Sequence, residues 1–173
     1  MLFNVAQLLK EPIGDSRHFE VDEPGEVLED IPVDRIRGSV DLLRTGAGIL
    51  VSADFALRAR QACARCLDEA LTPLAVAFEE EFFPVTDVNT GAALEMPAEP
   101  DTLTIDAHHT LDLTEVTRQY AWLALPLAPL CRPDCAGLCP QCGVNRNREI
   151  CSCEPSTDER WAALGSLLGR ALN

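Results

Sequence analysis

Eight cysteines are the residues of this 173-residue chain whose types and spacing could do chemistry. Six of them fall between residues 131 and 153, and two form an isolated Cys-x-x-Cys pair far upstream. The eight are Cys63, Cys66, Cys131, Cys135, Cys139, Cys142, Cys151 and Cys153. Two thiolates from one tight turn can reach the same ion, so closely spaced pairs are typical of a tetrahedral metal site. The sequence therefore predicts a protein stabilised by metal, and soft sulfur ligands favour zinc.

The clearest quartet combines Cys139-Pro-Gln-Cys142 with Cys151-Ser-Cys153. Gly143 directly follows the first pair, and glycine readily adopts the positive φ that a tight turn requires. Eight residues separate the two pairs, so the intervening loop is short enough for four thiolates to close one site. An iron–sulfur cluster is the chemical alternative to zinc, because four thiolates suit it as well.

The remaining cysteines predict a second quartet, formed over a long sequence separation. Cys63 and Cys66 would meet Cys131 and Cys135 if the C-terminal segment folds back on the upstream pair. Such a site would fasten two distant parts of the fold, because a cross-link over a long loop restricts the unfolded chain. Spacing leaves two alternatives open. Cys135 or Cys139 could exchange between the sites, and the upstream pair could be ordinary buried thiols.

Disulfides are another use of the same cysteines, and they would need an oxidising compartment. The apolar run within residues 1–10 is too short for a signal peptide, and Lys10 follows that run instead of preceding it. No window holds the roughly eighteen apolar residues of a membrane span. We therefore expect a cytoplasmic protein with no membrane contact, in which paired thiols bind metal.

Catalytic and redox uses of the cysteines fit the sequence less well than a structural metal. Catalytic zinc usually keeps an open position and mixes His or carboxylate ligands, whereas His18, His108 and His109 lack metal-ligand spacing. A redox Cys-x-x-Cys is usually placed at a helix N-terminus, where the thiol pKa falls. Cys63-Ala-Arg-Cys66 instead lies among residues that predict strands. With no phosphate-binding glycine loop or nucleophile elbow, the sequence favours a protein that is not an enzyme.

The net charge of −14 argues against nonspecific nucleic-acid binding over the whole surface. No Lys or Arg occurs between Cys66 and Thr117, while acids recur there. This stretch predicts either a solvated surface or a face for a basic partner, with Glu79, Glu80 and Glu81 as its candidate contacts. The C-terminal segment is nearly balanced in charge and offers a small basic patch for RNA. Its candidate contacts are Arg132, Arg146, Arg148 and Arg160.

Apolar periodicity predicts the strands that position the upstream cysteines. Apolar residues alternate from Ile49 to Ala59, which indicates a half-buried strand, and the glycine-rich turn at residues 45–48 joins it to the preceding run as a hairpin. Leu74–Phe83 predicts the next strand, and Arg17–Val21 predicts an earlier one. Cys63 and Cys66 then lie in the connection between two antiparallel strands, where a turn can present two thiolates.

Two helices are predicted after the sheet. Asp112 and Glu115 are spaced as a variant N-terminal capping box. The helix that they would open places Val116, Tyr120 and Leu123 on one face. Ser156 and Glu159 form a standard capping box for a terminal helix. Its apolar stripe comprises Trp161, Leu164, Leu167, Leu168 and Leu172.

These elements predict an α+β fold with a mainly antiparallel sheet. A hydrophobic content of 47% is enough for a core. Residues 1–126 are expected to form a β-rich domain with one main helix. Residues 127–173 are expected to form a zinc-ribbon-like cysteine segment and the terminal helix, packed on the first part as one unit.

The chain resembles the YceD-like bacterial proteins, known as large ribosomal RNA subunit accumulation proteins, over nearly its whole length. The shared motifs are VAQLLKEPIGDSRHFEV near the N-terminus, Cys63-Ala-Arg-Cys66-Leu67, Leu111-Asp112-Leu113, ALPLAPLC leading into GLCPQCGVN, and Cys151-Ser-Cys153. Two positions depart from the family pattern. Arg146 stands where members often carry Leu, and Ala64 replaces a more usual polar residue. Neither departure removes a predicted ligand.

The resemblance implies a factor that supports 23S ribosomal RNA accumulation and large-subunit assembly, and the cysteines imply that structural zinc, one or two ions per chain, holds it together. The implied partner is ribosomal RNA or a basic large-subunit ribosomal protein, with no small-molecule substrate. Two alternatives from other classes stay open at this point. One is a metal-dependent RNA-processing hydrolase, and the other is a thiol or zinc redox switch.

Overall fold

A seven-stranded sheet organises the part of the chain that the structure describes. The structure is a computed structural model, and it describes residues 1–28, 30–95, 97, 102–153 and 160. The strands are β1 (Leu2–Asn4), β2 (Ser16–Pro24), β3 (Val33–Arg44), β4 (Ile49–Ala62), β5 (Glu69–Pro84), β6 (Thr104–Ile105) and β7 (Thr110–Asp112). The helices are α1 (Ala6–Lys10) and α2 (Thr114–Ala124), and a 3₁₀ turn covers Gly25–Leu28. Across the sheet the order is β1-β7-β6-β5-β4-β3-β2.

Strands β2 to β5 form a meander of long neighbouring strands. Each pairs with the next in antiparallel register, whereas β5 and β6 are parallel. The predicted hairpin around residues 45–48 is confirmed, because β3 and β4 pair from Arg44 opposite Ile49. Gly48 closes that turn where a Cβ atom would lie 2.0 Å from the Phe82 carbonyl oxygen. β7 was not predicted. It pairs with β1, which is the edge strand of the sheet.

The core lies on one side of the meander. Inward residues of β4, such as Val51, Phe55 and Leu57, are buried together with Leu8 of α1 and Val116 of α2. The alternation of buried and exposed residues along β4 follows from the two-residue period of a strand. The opposite side of β2 to β5, which we call the outer face, therefore carries the polar and charged side chains.

Helix α2 departs from its prediction in its start and in its buried face. Asp112 ends β7, and its Oδ1 accepts a hydrogen bond from the backbone N–H of Thr114 at 2.9 Å. Pairing with β1 holds Asp112 in the sheet, so the N-cap position falls on Leu113. The predicted face is wrong for Leu123, whose exposed fraction is 80%. Thr117 and Ala121, together with Val116, are the buried residues of the helix instead.

The C-terminal predictions are only partly covered by the described residues. The terminal helix and its capping box at residues 156–172 lie outside them, apart from Arg160. From residue 127 to 153 the described chain has turns and one isolated bridge, between Leu138 and Asn145. The ribbon-like form and the division at residue 126 stay predictions. None of the described helices has the length and apolar character that a membrane span needs.

Candidate metal centres

The connection between β4 and β5 presents the upstream cysteine pair. The backbone N–H of Cys63 donates to the Asp68 carbonyl at 2.8 Å, and that of Leu67 donates to the Cys63 carbonyl at 3.0 Å. Leu67 closes this turn with a φ of +63°, which is uncommon for a residue with a branched side chain. Cys63 and Cys66 are both buried. The turn thus holds two sulfur atoms at the end of the sheet.

The C-terminal segment docks against this turn through backbone hydrogen bonds. Ala64 N–H donates to the Pro129 carbonyl at 2.8 Å, and Leu138 N–H donates to the Arg65 carbonyl at 3.0 Å. Gly137 has a φ of +71°, and a Cβ atom there would lie 3.1 Å from the Arg65 carbonyl oxygen. The close approach explains why glycine precedes Leu138. Docking brings the second cysteine pair to the upstream turn.

Four sulfur atoms meet where the segment docks, and we call them the bridging cluster: Cys63, Cys66, Cys131 and Cys135. All four Sγ atoms lie within 4.8 Å of one another. Cys63 Sγ is 3.8 Å from Cys135 Sγ, and Cys66 Sγ is 3.6 Å from Cys131 Sγ. A tetrahedral zinc ion with Zn–S bonds of about 2.3 Å separates its sulfurs by about 3.8 Å. The spacing therefore suits four sulfur ligands around one ion, and all four cysteines are free thiols.

The thiols of the bridging cluster differ in acidity. Backbone N–H groups, first that of Cys131, lower the pKa of the Cys63 thiol to about 6 against the effect of burial. Burial raises the pKa of the Cys66 thiol to about 12. Burial also disfavours the thiolate of Cys135, but hydrogen bonds led by that from the Asn147 amide lower its pKa. A metal ion that bound these sulfurs would therefore displace the proton of Cys66.

Asn147 is a residue of this site that the sequence prediction missed. Its Nδ2 donates to Cys135 Sγ at 3.3 Å. Its Oδ1 accepts from Arg132 Nη2 at 2.7 Å and from the backbone N–H of Ala136 at 2.8 Å. Asn147 also donates to the side chain of Asn145 at 2.9 Å. Asparagine is favoured in loops where its side chain bonds backbone groups, and this was the only available signal.

Asn145 continues the connection to the sheet. Its Nδ2 donates to Asp68 Oδ2 at 2.8 Å, and Arg148 forms an ion pair with Asp68 Oδ1 at 3.0 Å. Asp68 lies at the end of the turn that carries Cys63 and Cys66. The loop after Cys142 therefore also contacts the sheet through side-chain bonds to Asp68, in addition to the contacts at the bridging cluster.

The other four cysteines form a second group, which we call the knuckle cluster: Cys139, Cys142, Cys151 and Cys153. Their Sγ atoms also lie within 4.8 Å of one another. The knuckle turn is closed by Cys139 N–H to the Val144 carbonyl at 2.8 Å and Gly143 N–H to the Cys139 carbonyl at 2.9 Å. Gly143 has the predicted positive φ, at +74°.

The knuckle cluster is more open than the bridging cluster. Cys139 is buried but Cys142 is exposed, and three of its cysteines line a surface hollow of about 290 Å³. The backbone N–H groups of Cys142 and then Gln141 lower the pKa of the Cys139 thiol to about 6. The neighbouring Cys142 thiol, followed by burial, raises the pKa of Cys153 to about 12. Solvent and chelators therefore have easier access to this group.

The structure groups the eight sulfurs in the two quartets that the spacing predicted, without exchange of Cys135 and Cys139. Both groups could hold a metal ion. The role of each cysteine as a ligand, and the identity of the metal, stay predictions. The histidines lie outside both groups. His18, for example, contacts Asp41 at 2.8 Å and Glu20 at 3.2 Å on the outer face.

The four arginines predicted to contact RNA have different surroundings. Arg132 bonds Asn147 and lies 3.4 Å from Asp134. Arg148 is paired with Asp68. Arg146 is exposed and borders the knuckle hollow, and Arg160 is exposed. Arg132 and Arg148 therefore already contact carboxylates of the same chain.

The three predicted acidic contacts do not share one face. Glu80 points to the core side of β5, where its Oε1 accepts a hydrogen bond from the Tyr120 hydroxyl at 2.7 Å. That bond raises the pKa of Tyr120. Glu80 therefore lies on the opposite side of β5 from Glu79 and Glu81, because successive side chains of a strand point to opposite sides. The role of the three acids as partner contacts stays a prediction.

Glu79 and Glu81 lie on the outer face, where other strands add acids beside them. Glu79 is opposite Ser52 of β4, and Ser52 is opposite Asp41 of β3. We call this region the acidic half of the outer face. Its carboxylates are Glu20, Asp41, Asp54, Glu79 and Glu81.

Comparison with known proteins finds one family. A family model described as large ribosomal RNA subunit accumulation protein YceD matches residues 51–168, which include all eight cysteines. Uncharacterized proteins of Mycobacterium tuberculosis and Mycobacterium bovis are each 37% identical over 122 residues, covering 70% of this chain and 56% of the relative. An uncharacterized protein of Mycobacterium leprae is 28% identical over 121 residues, covering 69% of this chain and 53% of the relative.

The chain spans about half the length of these curated relatives. No solved structure matches the chain.

Proposed function

The chain belongs to the YceD family of large ribosomal RNA subunit accumulation proteins, and we propose that it is a non-enzymatic zinc-binding factor of the cytoplasm. In this proposal it supports 23S ribosomal RNA accumulation and assembly of the large ribosomal subunit. The observation that carries the proposal is the bridging cluster, where sulfur atoms from two distant segments meet at metal-ligand spacing. The metal would join the C-terminal segment to the sheet.

The donor set favours a structural metal over a catalytic one. Each cluster offers four sulfurs, which complete the tetrahedral shell of a zinc ion and leave no position for a substrate or an activated water. In the bridging cluster the sulfurs of Cys63, Cys66 and Cys135 are buried as well. A hydrolase would need a base and an open ligand position beside the metal. These observations support a scaffold and weigh against the hydrolase alternative.

The charge of the outer face supports a basic protein as the partner. Five carboxylates from four neighbouring strands converge in the acidic half. In contrast, Arg132 and Arg148 of the cysteine segment are held by Asp134 and Asp68, which reduces their availability for RNA. Complementary charge speeds encounter and selects partners. We therefore propose that Glu79 and Glu81 contact a basic large-subunit ribosomal protein.

Metal content tests the scaffold. Protein purified without added metal should carry two zinc ions per chain by inductively coupled plasma and native mass spectrometry, and removal should expose eight titratable thiols. Iron with visible absorption would indicate the iron–sulfur alternative. Metal-free protein with its cysteines joined as disulfides would contradict the proposal.

Charge reversal tests the partner surface. The double variant Glu79→Lys and Glu81→Lys should no longer capture the large-subunit proteins that high salt releases from ribosomes. The matched control, Glu26→Lys with Glu95→Lys, changes the charge equally at exposed residues outside the acidic half. Equal capture by both variants would contradict the acidic-half proposal. Normal 23S RNA levels in cells that lack the protein would contradict the assembly role itself.

A further inference from the structure

The other half of the outer face carries a group of arginines, which we call the arginine patch: Arg35 and Arg37 on β3, and Arg58 and Arg60 on β4. Between 53% and 68% of each side chain is exposed. The strand register places these arginines and the acidic half at different positions along the strands. Arg37 is opposite Ala56, whereas Asp41 is opposite Ser52 four residues along the same strand pair.

Two carboxylates orient the patch without neutralising it. Asp22 Oδ1 accepts hydrogen bonds from Nε of both Arg35 and Arg37. Asp34 accepts from Arg60, and its Oδ2 lies 3.9 Å from Arg58 Nη2. Four guanidinium groups therefore face two contacting carboxylates. Arg35 and Arg37 bond Asp22 through their Nε atoms, and their terminal nitrogens donate no hydrogen bond within the described part of the chain.

A shallow hollow of about 460 Å³ lies among these arginines. Arg35, Arg37 and Arg58 border it, and the small Ala56 and the rigid Pro73 contribute to its lining. The hollow is therefore a depression with three cationic groups at its edge. A guanidinium presents its donors in a planar fork that matches the oxygens of a phosphate.

We propose that the arginine patch binds the phosphodiester backbone of RNA. The choice of RNA as the polyanion rests on the proposed role in large-subunit assembly. The charges of the outer face support it, because the acidic half would repel a polyanion and confine it to the patch. The chain carries a net charge of −14, so binding through a local patch should be modest in affinity and strongly salt-dependent.

The number of contacts sets the expected salt dependence. Each phosphate neutralised on a single strand contributes about −0.7 to the slope of log affinity against log salt, so three arginines give a slope of about −2. Because phosphate contacts carry no base information, affinity should differ little between sequences.

Two charge-matched triple variants test the location. The patch variant is Arg35→Gln, Arg37→Gln and Arg58→Gln. The segment variant is Arg132→Gln, Arg146→Gln and Arg148→Gln. Binding of labelled poly(U) RNA is measured by fluorescence anisotropy over a salt series, after zinc content and thermal unfolding show that each variant is folded. We expect the patch variant to lose on the order of tenfold to hundredfold in affinity near 0.1 M salt and most of the slope. The segment variant should bind like the unchanged protein.

A lysine version of the patch variant guards against a folding artefact. Arg35→Lys, Arg37→Lys and Arg58→Lys keep the charge, so the salt slope should be retained while the Gln version loses it. Polyglutamate of matched charge serves as a competitor, and poly(U) should be displaced only weakly by it. Equal displacement would mean that the patch binds acidic peptides, which would overturn the assignment to RNA.

Other outcomes would also overturn the inference. These are no poly(U) binding by the unchanged protein, an equal loss in both triple variants, or a loss in the segment variant alone. The proposed function is tested separately. If 23S RNA falls in cells lacking the protein while the patch variant binds poly(U) normally, the patch assignment fails and the assembly role stands. If 23S RNA stays normal in those cells, the assembly role fails whatever the binding result.

Discussion

Asn147 donates a hydrogen bond from its side-chain amide to Cys135 Sγ at 3.3 Å, although the knuckle turn separates the two residues in the sequence. The same amide group accepts from Arg132 and from the Ala136 backbone. One side chain thus orients a thiol of the bridging cluster and fixes the loop that leads away from the knuckle. Partners of this kind fix the position of a metal ligand.

Asn147→Ala should weaken metal binding at the bridging cluster. Loss of a hydrogen bond to a metal ligand typically lowers metal affinity about tenfold to hundredfold. Competition with a chromophoric zinc chelator measures the change. Asn89→Ala is the matched control, because Asn89 lies in an exposed loop. Unchanged zinc affinity in Asn147→Ala would show that the amide does not support the ligand.

Gly137→Ala should destabilise the docking of the cysteine segment more than Gly91→Ala does. Both glycines have a φ near +70°, so both substitutions place Ala in the left-handed region, at a cost of about 1–2 kcal/mol. Only at Gly137 would the new Cβ atom also meet the Arg65 carbonyl oxygen, at 3.1 Å. Urea unfolding of the metal-loaded protein measures the free energy of each variant. Equal losses at both positions would mean that the close approach to Arg65 has no energetic effect.

The two clusters should release metal at different rates. In the bridging cluster three cysteines are buried and Cys131 is exposed, whereas in the knuckle cluster Cys139 alone is buried and the group borders an open hollow. A chelator should therefore remove zinc in two phases of equal amplitude. Cys142→Ser should eliminate the fast phase. Cys66→Ser should eliminate the slow phase and increase trypsin cleavage after Arg146, which Asn147 follows. A single phase in the unchanged protein would contradict this assignment.

Binding of the basic partner should weaken as the pH falls through the titration of His18. The carboxylates of Asp41 and then Glu20 accept hydrogen bonds from the His18 ring and raise its pKa above the ordinary value of 6.5. Protonation therefore adds a positive charge to the acidic half from a pH above 6.5 downward. For folding, the same shift stabilises the protein below pH 6.5, and this contribution disappears as the pH rises through the folded pKa.

The expected effect of His18 on partner binding is about twofold, because exposed charge pairs interact weakly. Capture assays between pH 5.5 and pH 8 are compared for His18→Gln and for the control His108→Gln. His18→Gln should flatten the pH profile, and His108→Gln should leave it unchanged. If both profiles match that of the unchanged protein, His18 does not contribute to the surface.

Sequence alone predicted the hairpin of β3 and β4 and the position of Cys63 and Cys66, because alternation and a glycine-rich turn are local signals. The sequence prediction was wrong about the burial of Leu123 and about Asp112 as the N-cap of α2. The face that α2 buries is set by its packing on β5 and by the pairing of β7 with β1, and neither contact is local. The three adjacent acids of β5 are divided between its two sides for a simpler reason. Glu79, Glu80 and Glu81 are adjacent in sequence, but a strand sends neighbours to opposite sides.

The hydrogen bonds of Asn147 were beyond sequence reasoning for a related reason. An asparagine between two arginines has many possible roles, and its contact with Cys135 depends on the path of the intervening knuckle. The grouping of the sulfurs followed from spacing at the knuckle, where the ligand pairs are close in sequence. At the bridging cluster, spacing leaves several pairings open. The docking of the C-terminal segment on the Arg65 carbonyl selects one of them.

The bridging cluster also has a consequence for synthesis on the ribosome. Cys63 and Cys135 are separated by 72 positions, and translation at 5–20 residues per second takes roughly 4 to 14 s to cover that distance. The long hairpins can form as they emerge from the ribosome. Cys63 and Cys66 are then present without Cys131 and Cys135, the other half of the bridging cluster. In the proposed function, metal capture at the bridging cluster is therefore a late step, which follows formation of the hairpins and synthesis of Cys131 and Cys135.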